Sequence, residues 1–188
     1  MTQTESQYRQ IITQCRDLFL RKARDYGVSW VILRMPSVTD QIYIKAERIR
    51  SLQQTGVNQV GESEESEFVG IVNYCVIALL LLDLQGADAE NRRQALARHE
   101  LLAAAYDEKV QGVFETMQKK NHDYGEAWRK MRISSMTDLI LMKILRLKQI
   151  EDNEGLLEVS EGPDANYTDI LNYAVFCLIR MQEQKTSL

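Results

Sequence analysis

The sequence predicts an all-α protein, built as two tandem three-helix repeats packed into a pseudo-twofold bundle of six to seven helices. Three observations lead there. A long motif recurs once at a fixed offset, apolar residues follow a helical period, and no segment alternates apolar and polar residues between turn signals as a strand would. The recurrence is the strongest of the three. Lys22-x-x-Asp25-Tyr26-Gly27-x-x-Trp30 returns as Lys120-x-x-Asp123-Tyr124-Gly125-x-x-Trp128. Arg34, Ser37, Thr39, Asp40, Ile42, Lys45 and Arg48 return as Arg132, Ser135, Thr137, Asp138, Ile140, Lys143 and Arg146, at the same offset of 98. After one inserted residue, Glu62, Ile71, Asn73, Tyr74, Val76 and Leu79 return as Glu161, Ile170, Asn172, Tyr173, Val175 and Leu178. The expected organisation is a first repeat over residues 1–84, a helical connection over 85–106 and a second repeat over 107–188, together one compact domain.

Taken in order, Tyr8, Ile11, Ile12, Cys15, Leu18 and Phe19 lie on one helical face, as do Val110, Val113, Phe114 and Met117 in the second copy. The first helix is expected to end near Tyr26-Gly27, where glycine tolerates a positive φ. A loop follows as far as Pro36. Ser37-x-x-Asp40 and Ser135-x-x-Asp138 read as capping boxes that start the second helix, which runs to about Gln54 and, in copy two, to about Asp152. Linkers follow at Gly56 to Gly61 and Asn153 to Gly162. The third helix begins near Glu65 or Asp164, with Pro163 in a first turn where its missing N–H costs nothing. The apolar run Phe68 to Leu82 is shorter than the ~20 residues a membrane span needs, and reads as a core helix. Ala87 to Tyr106, alanine-rich and charged, is expected to be helical and to join the copies. Helices apolar on more than one face need cover on more than one side, so the copies should pack on each other. Further association as a homodimer is open to such a bundle.

Composition narrows the function. The net charge of −4 argues against a broad DNA-binding surface, though not against a local basic pocket. The polar N-terminus lacks a signal peptide's apolar core, so no membrane association is expected. Three dispersed cysteines in apolar segments suit free thiols in a reducing cytoplasm. With two histidines and no Cys-x-x-Cys, a zinc site is not expected.

Many repeated positions are charged, aromatic or glycine, which is more than a shared fold requires. Lys45 with Arg48, and Lys143 with Arg146, put two cations on one helix face, where a phosphate would relieve their repulsion. Arg34 and Arg132 could join them. The alternative is a solvated basic face or ion pairs with a neighbouring helix. Glu62, Glu65, Glu161, Asp164 and Asp169 supply the oxygen ligands Mg²⁺ prefers, with Glu62, Glu161 and Asp169 as the candidate metal ligands. Favourable charge at a helix N-terminus is the competing account. Copy one carries Gly70 where copy two carries Asp169, so the two sites are not equivalent if that acid binds metal. Asp25 and Asp123 sit at a helix C-terminus, where a carboxylate opposes the dipole, and so call for a partner: Lys22 or Lys120, a metal, or an arginine. They join Glu62 and Glu161 as candidate catalytic acids. Tyr26, Tyr124, Trp30 and Trp128 could stack on a base, or plug the end of the bundle. Asn73 and Asn172, within apolar helices, need partners from the other copy or from a ligand. His122 has no counterpart and is given no role.

The order Lys-x-x-Asp-Tyr-Gly, then Lys-x-x-Arg, then Glu with Asn-Tyr eleven residues later, resembles the nucleotide modification associated domain family, in both copies. The resemblance implies a small all-helical domain associated with base-modification systems, without a defined reaction. The family's third block usually reads Glu, then Asp at the fourth and eighth following positions, then Asn-Tyr. Here copy one has Ser66 and Gly70, and copy two has Ala165 and Asp169. More loosely, the pattern resembles the all-helical nucleoside-triphosphate pyrophosphohydrolases, which hold Mg²⁺ on acid-x-x-acid motifs. The expectation is therefore a protein that handles a nucleotide or nucleoside phosphate. It could act as a Mg²⁺-dependent (d)NTP pyrophosphohydrolase, as a non-catalytic nucleotide-binding or regulatory module, or as a helical interaction scaffold.

Overall fold

A computed structural model describes residues 2–59, 61–156 and 161–186. Residue 60 of the first linker, residues 157–160 of the second and both chain ends lie outside the described residues. Each copy contributes three long helices. Copy one has α1 (Gln3–Tyr26), α2 (Met35–Thr55) and α3 (Glu64–Asp83). A short α4 (Ala89–Leu96) leads to copy two, with α5 (His99–Tyr124), α6 (Ile133–Asp152) and α7 (Pro163–Thr186). No strand occurs among the described residues. The connection is helical but broken at Ala97 and Arg98; only its part from His99 onward runs unbroken, as α5, to the second Asp-Tyr-Gly.

The core is formed by α2, α3, α6 and α7, with α1 and α5 laid across them. Phe68, Ile71, Val72, Cys75 and Val76 of α3 are fully buried, as are Ile170, Leu171, Ala174 and Val175 of α7. Among the described residues, α3 is the one helix long and apolar enough to cross a membrane, but α2 and α7 cover it. All three cysteines are buried as free thiols, and burial pushes each thiol above its ordinary range.

The copies are tied together by exchanged hydrogen bonds. Tyr106 of copy two donates to Asn73 Oδ1 of copy one at 2.9 Å, and Tyr8 of copy one donates to Asn172 Oδ1 of copy two at 2.7 Å. Tyr8 and Tyr106 share the 98-residue offset. A second exchange lies between α2 and α6. Thr39 Oγ1 donates to Glu151 at 2.5 Å, while Gln53 Nε2 donates to Thr137 Oγ1 at 3.1 Å. Of the two accounts open for the asparagines, the cross-copy bond is the one observed.

The start of the second helix differs from expectation. Arg34 and Arg132, in extended conformation, hold the N-cap positions of α2 and α6 without a side-chain cap, and Ser37 and Ser135 already lie in the first turn. The expected capping boxes are therefore absent. Pro36 explains the earlier start in copy one, since a first turn has no use for its missing N–H. Side-chain caps occur on other helices: Thr2 with Glu5 on α1, Ser63 on α3 and Asp88 on α4. Both loops after Asp-Tyr-Gly contain a 3₁₀ turn, Ser29–Ile32 or Ala127–Lys130, which places the tryptophan. Gly27 and Gly125 open these loops at φ +65° and +59°, where a Cβ would be strained.

Candidate functional site

Each copy has a cleft where the end of its first helix, the 3₁₀ turn and the middle of its third helix meet. Cleft one has a volume of about 660 Å³ and is lined by Phe19, Lys22, Tyr26, Trp30, Lys45, Glu67, Gly70, Asn73, Tyr74 and Ile77, among others. Cleft two, about 330 Å³, is lined at matching positions by Met117, Lys120, Tyr124, Trp128, Asp169, Asn172, Tyr173 and Phe176. The repeated motif thus lines two equivalent clefts, one in each copy. Their charges are arranged differently.

In copy two, Asp169 is 9% exposed and accepts hydrogen bonds from Lys120 Nζ at 2.5 Å and Lys143 Nζ at 2.6 Å. Burial is the largest single influence on Asp169 and favours its neutral form. The two lysines together outweigh it and hold the carboxyl below the ordinary aspartate value. Burial likewise works against the charge of Lys120, but Asp169 raises this lysine above its usual value.

In copy one, Gly70 takes the place of Asp169, and Lys45 lies over it. A Cβ at Gly70 would come within 2.8 Å of Lys45 Cδ and Cε. The acid has moved one helical turn back, to Glu67, whose counterpart in copy two is Asn166. Glu67 is buried and accepts from Lys45 at 3.2 Å and from Arg48 at 2.5 Å. Arg48 also holds Glu62 at 2.5 Å, which keeps that carboxyl below the usual glutamate range. Lys22 makes no ion pair among the described residues. Cleft one therefore offers two lysines around a floor that carries no carboxylate at the Gly70 position.

The rings differ as well. Tyr26 and Tyr124 are 74% and 73% exposed, so they stand at the cleft mouths and do not plug the bundle. Trp30 is half-buried, tilted against Phe19 at 6.2 Å. Trp128 is 5% exposed, stacked parallel on Phe176 at 4.2 Å, with the Arg129 guanidinium 4.5 Å from its ring centre. Copy one has Ile77 in place of Phe176, which leaves Trp30 without a stacked partner among the described residues.

The remaining candidates are placed as follows. Asp25 and Asp123 are exposed and line neither cleft. Asp25 makes no ion pair among the described residues, and Asp123 meets only the neighbouring His122, at 3.1 Å. The strong partner expected for a carboxylate at a helix C-terminus is not there; both carboxylates stand on the exposed surface. Arg34 and Arg132, as N-cap residues, are exposed and line neither cleft, and neither does Arg146. Glu161 is exposed and does not line cleft two, although its charge reaches Lys120 and helps to raise that lysine. A scaffold in which repeated charges tie the copies together would bring Asp25, Arg48, Asp123 and Arg146 into contact, but none of these four pairs with another. Among the described residues, no three carboxylate, histidine or cysteine side chains converge where they could hold a metal ion. The set Glu62, Glu161 and Asp169 spans both copies, and Glu62 and Asp169 are already neutralised by Arg48 or by lysines.

Two structural features were not anticipated from the sequence. Tyr8 and Tyr106 share the 98-residue offset and could have been found from it. Glu67 could not, because its counterpart is Asn166 and the repeat offers no identity there.

A duplicated helical bundle with one lysine- and aromatic-lined cleft per copy defines the class of protein. The family model for nucleotide modification associated domain 1 matches residues 22–82 and 120–181, and the chain belongs to that family. Each match begins at the cleft lysine, Lys22 or Lys120, and runs through the third-helix residues that form the cleft floor. Comparisons with curated proteins and with solved structures return no match.

Proposed function

We propose that the protein binds a nucleoside phosphate in cleft one and serves nucleotide modification by that means. One observation carries this reading. Lys22, which makes no ion pair among the described residues, and Lys45, which Glu67 holds at 3.2 Å, line a cleft with Gly70 where cleft two has Asp169, beside a tryptophan with no ring stacked on it. The lysines suit phosphate oxygens as point charges, and Trp30, Tyr26 and Tyr74 suit a base. A volume of about 660 Å³ lies within the range of small-molecule sites. The family description points to the same class of ligand.

A second reading, Mg²⁺-dependent pyrophosphohydrolysis, draws on Glu62, Glu65 and Glu67, which line the same cleft. Such oxygens suit Mg²⁺. As arranged, they are held by Arg48, Lys45 and Lys185, and among the described residues the three do not gather into a group able to hold a metal ion.

Calorimetry and thermal melting with a panel of canonical and modified (d)NTPs, with and without Mg²⁺, test both readings. Binding at 100 times Kd should add about 2.7 kcal/mol of stability without a metal requirement. Metal-dependent release of pyrophosphate would move the conclusion to the hydrolase. Absence of binding by every nucleotide in the millimolar range would end the nucleotide reading.

A further inference from the structure

Cleft two differs from cleft one in a way that changes the ligand it can take. Its anion seat is already filled, because Asp169 holds Lys120 and Lys143. Two buried donors there lack a hydrogen-bond partner among the described residues: Trp128 Nε1 and Asn172 Nδ2. Both residues are 5% exposed and both line the cleft. Copy one satisfies the equivalent amide, since Asn73 Nδ2 donates to the Cys15 carbonyl at 3.1 Å. Buried donors are nearly always paired in folded proteins, so two orphans in one cleft point to an acceptor supplied by a guest. The Trp128 ring is engaged by Phe176 and Arg129, which leaves its N–H as what it can offer.

We propose that cleft two is a separate binding site for an uncharged, flat molecule bearing hydrogen-bond acceptors: a nucleobase or nucleoside, not a nucleotide. The proposal rests on the nucleotide reading for the class of ring, and on cleft two's own geometry for the lack of phosphate. Trp128 and Asn172 donate to the acceptor edge. Tyr124 and Tyr173 line the walls with aromatic surface. A phosphate is disfavoured because Asp169 repels it and consumes the nearby cations. The volume, about 330 Å³ against 660 Å³, agrees with a smaller guest.

The chain has two tryptophans, one in each cleft, so each can be read alone. In a Trp30→Phe protein excited to the red of tyrosine absorption, emission comes only from Trp128. The four common 2′-deoxynucleosides and their 5′-triphosphates are titrated into it, with calorimetry in parallel. At least one nucleoside should shift Trp128 emission saturably, and its triphosphate should bind this cleft at least about tenfold more weakly. By calorimetry, Trp128→Phe, which keeps an aromatic ring and removes the N–H, should weaken that nucleoside by about three- to tenfold. The proposal is overturned if no nucleoside perturbs Trp128 at millimolar concentration, or if the triphosphate binds there as tightly. Trp30 emission in the Trp128→Phe protein reports nucleotide binding in cleft one separately, so the two readings can fail independently.

Discussion

Replacing Gly70 by Asp would give cleft one the acid that cleft two already has. In copy two that acid takes hydrogen bonds from Lys120 and Lys143 at 2.5 and 2.6 Å. The matching lysines in copy one are Lys22 and Lys45. The new Cβ would meet Lys45 Cδ and Cε at 2.8 Å, which are the far carbons of a flexible side chain and can swing aside. The fold should tolerate the change, because any residue other than proline is at least as favourable as glycine inside a helix, by a few tenths of a kcal/mol here. The phosphate, which already shares Lys45 with Glu67, must then compete with a carboxylate for Lys22 as well. A charge-assisted hydrogen bond contributes about 1.5–3 kcal/mol, so capture of one lysine should weaken binding about 10- to 100-fold. The assay is nucleotide titration in the Trp128→Phe background, read through Trp30. Gly70→Ala serves as the control, since it displaces Lys45 without adding charge and should cost far less. Equal affinity for the Gly70→Asp and parent proteins, with both folded, would mean that phosphate does not sit between Lys22 and Lys45.

Three further outcomes test the rest of the account. Asp169→Asn should lower stability by about 3 kcal/mol, because Lys143, 8% exposed, loses its carboxylate, and Asn166→Glu should recover part of the loss by copying Glu67. Since Asp169 is held below the ordinary value of 3.8, its contribution is present above that pH and is lost as pH falls through the folded value; urea melts of parent and variant should therefore converge in acid. Burial raises Glu151 above the ordinary glutamate value of 4.5, so its contribution is present below that pH and lost as pH rises. Glu151→Gln, the residue copy one has at Gln53, should raise the melting temperature at pH 7 and flatten its dependence between pH 4 and 7. Tyr106→Phe should cost about 1–3 kcal/mol in chemical denaturation by stranding the buried Asn73 carbonyl, and an unchanged midpoint would contradict the cross-copy role of that bond.

The helical class, the duplication and most element boundaries could be read from the sequence, because they depend on periodicity and on identities repeated at one offset. The clefts were partly readable for the same reason: Lys22, Tyr26, Trp30, Asn73 and their counterparts recur and do line them. What could not be read was the division of charge. Asp25 and Asp123 recur as faithfully as the lysines yet face solvent, because helix phase at a C-terminus, where the chain turns away, is not fixed by spacing along the sequence. The buried acids of the clefts, Glu67 and Asp169, lie at positions where the copies differ; Asp169 is legible through its contrast with Gly70, whereas Glu67, opposite Asn166, gives a search for repeated residues nothing to find. Repetition marked the shared scaffold, and divergence between the copies marked where their chemistry separates.

The exchanged bonds bear on whether one copy can stand alone. Asn73 receives its buried hydrogen bond from Tyr106 of copy two, and α3 packs most extensively against α7. A fragment of residues 1–84 would lose both. Phe68, Ile71, Val72, Cys75 and Val76, now fully buried, would have only α1 and α2 to cover them. A second fragment could replace what is missing, because Tyr8 occupies in copy one the place Tyr106 occupies in copy two. In such a symmetric dimer each Tyr8 would donate to its partner's Asn73, as Tyr8 now donates to Asn172. The fragment is therefore expected to be unfolded at low concentration and to gain helix by circular dichroism as it dimerises, with a melting temperature that rises with concentration. Tyr8→Phe should weaken that dimer. A fragment that is monomeric by light scattering and melts cooperatively at every concentration would show that copy one has a sufficient core of its own, and the exchanged hydrogen bonds would then be incidental to folding.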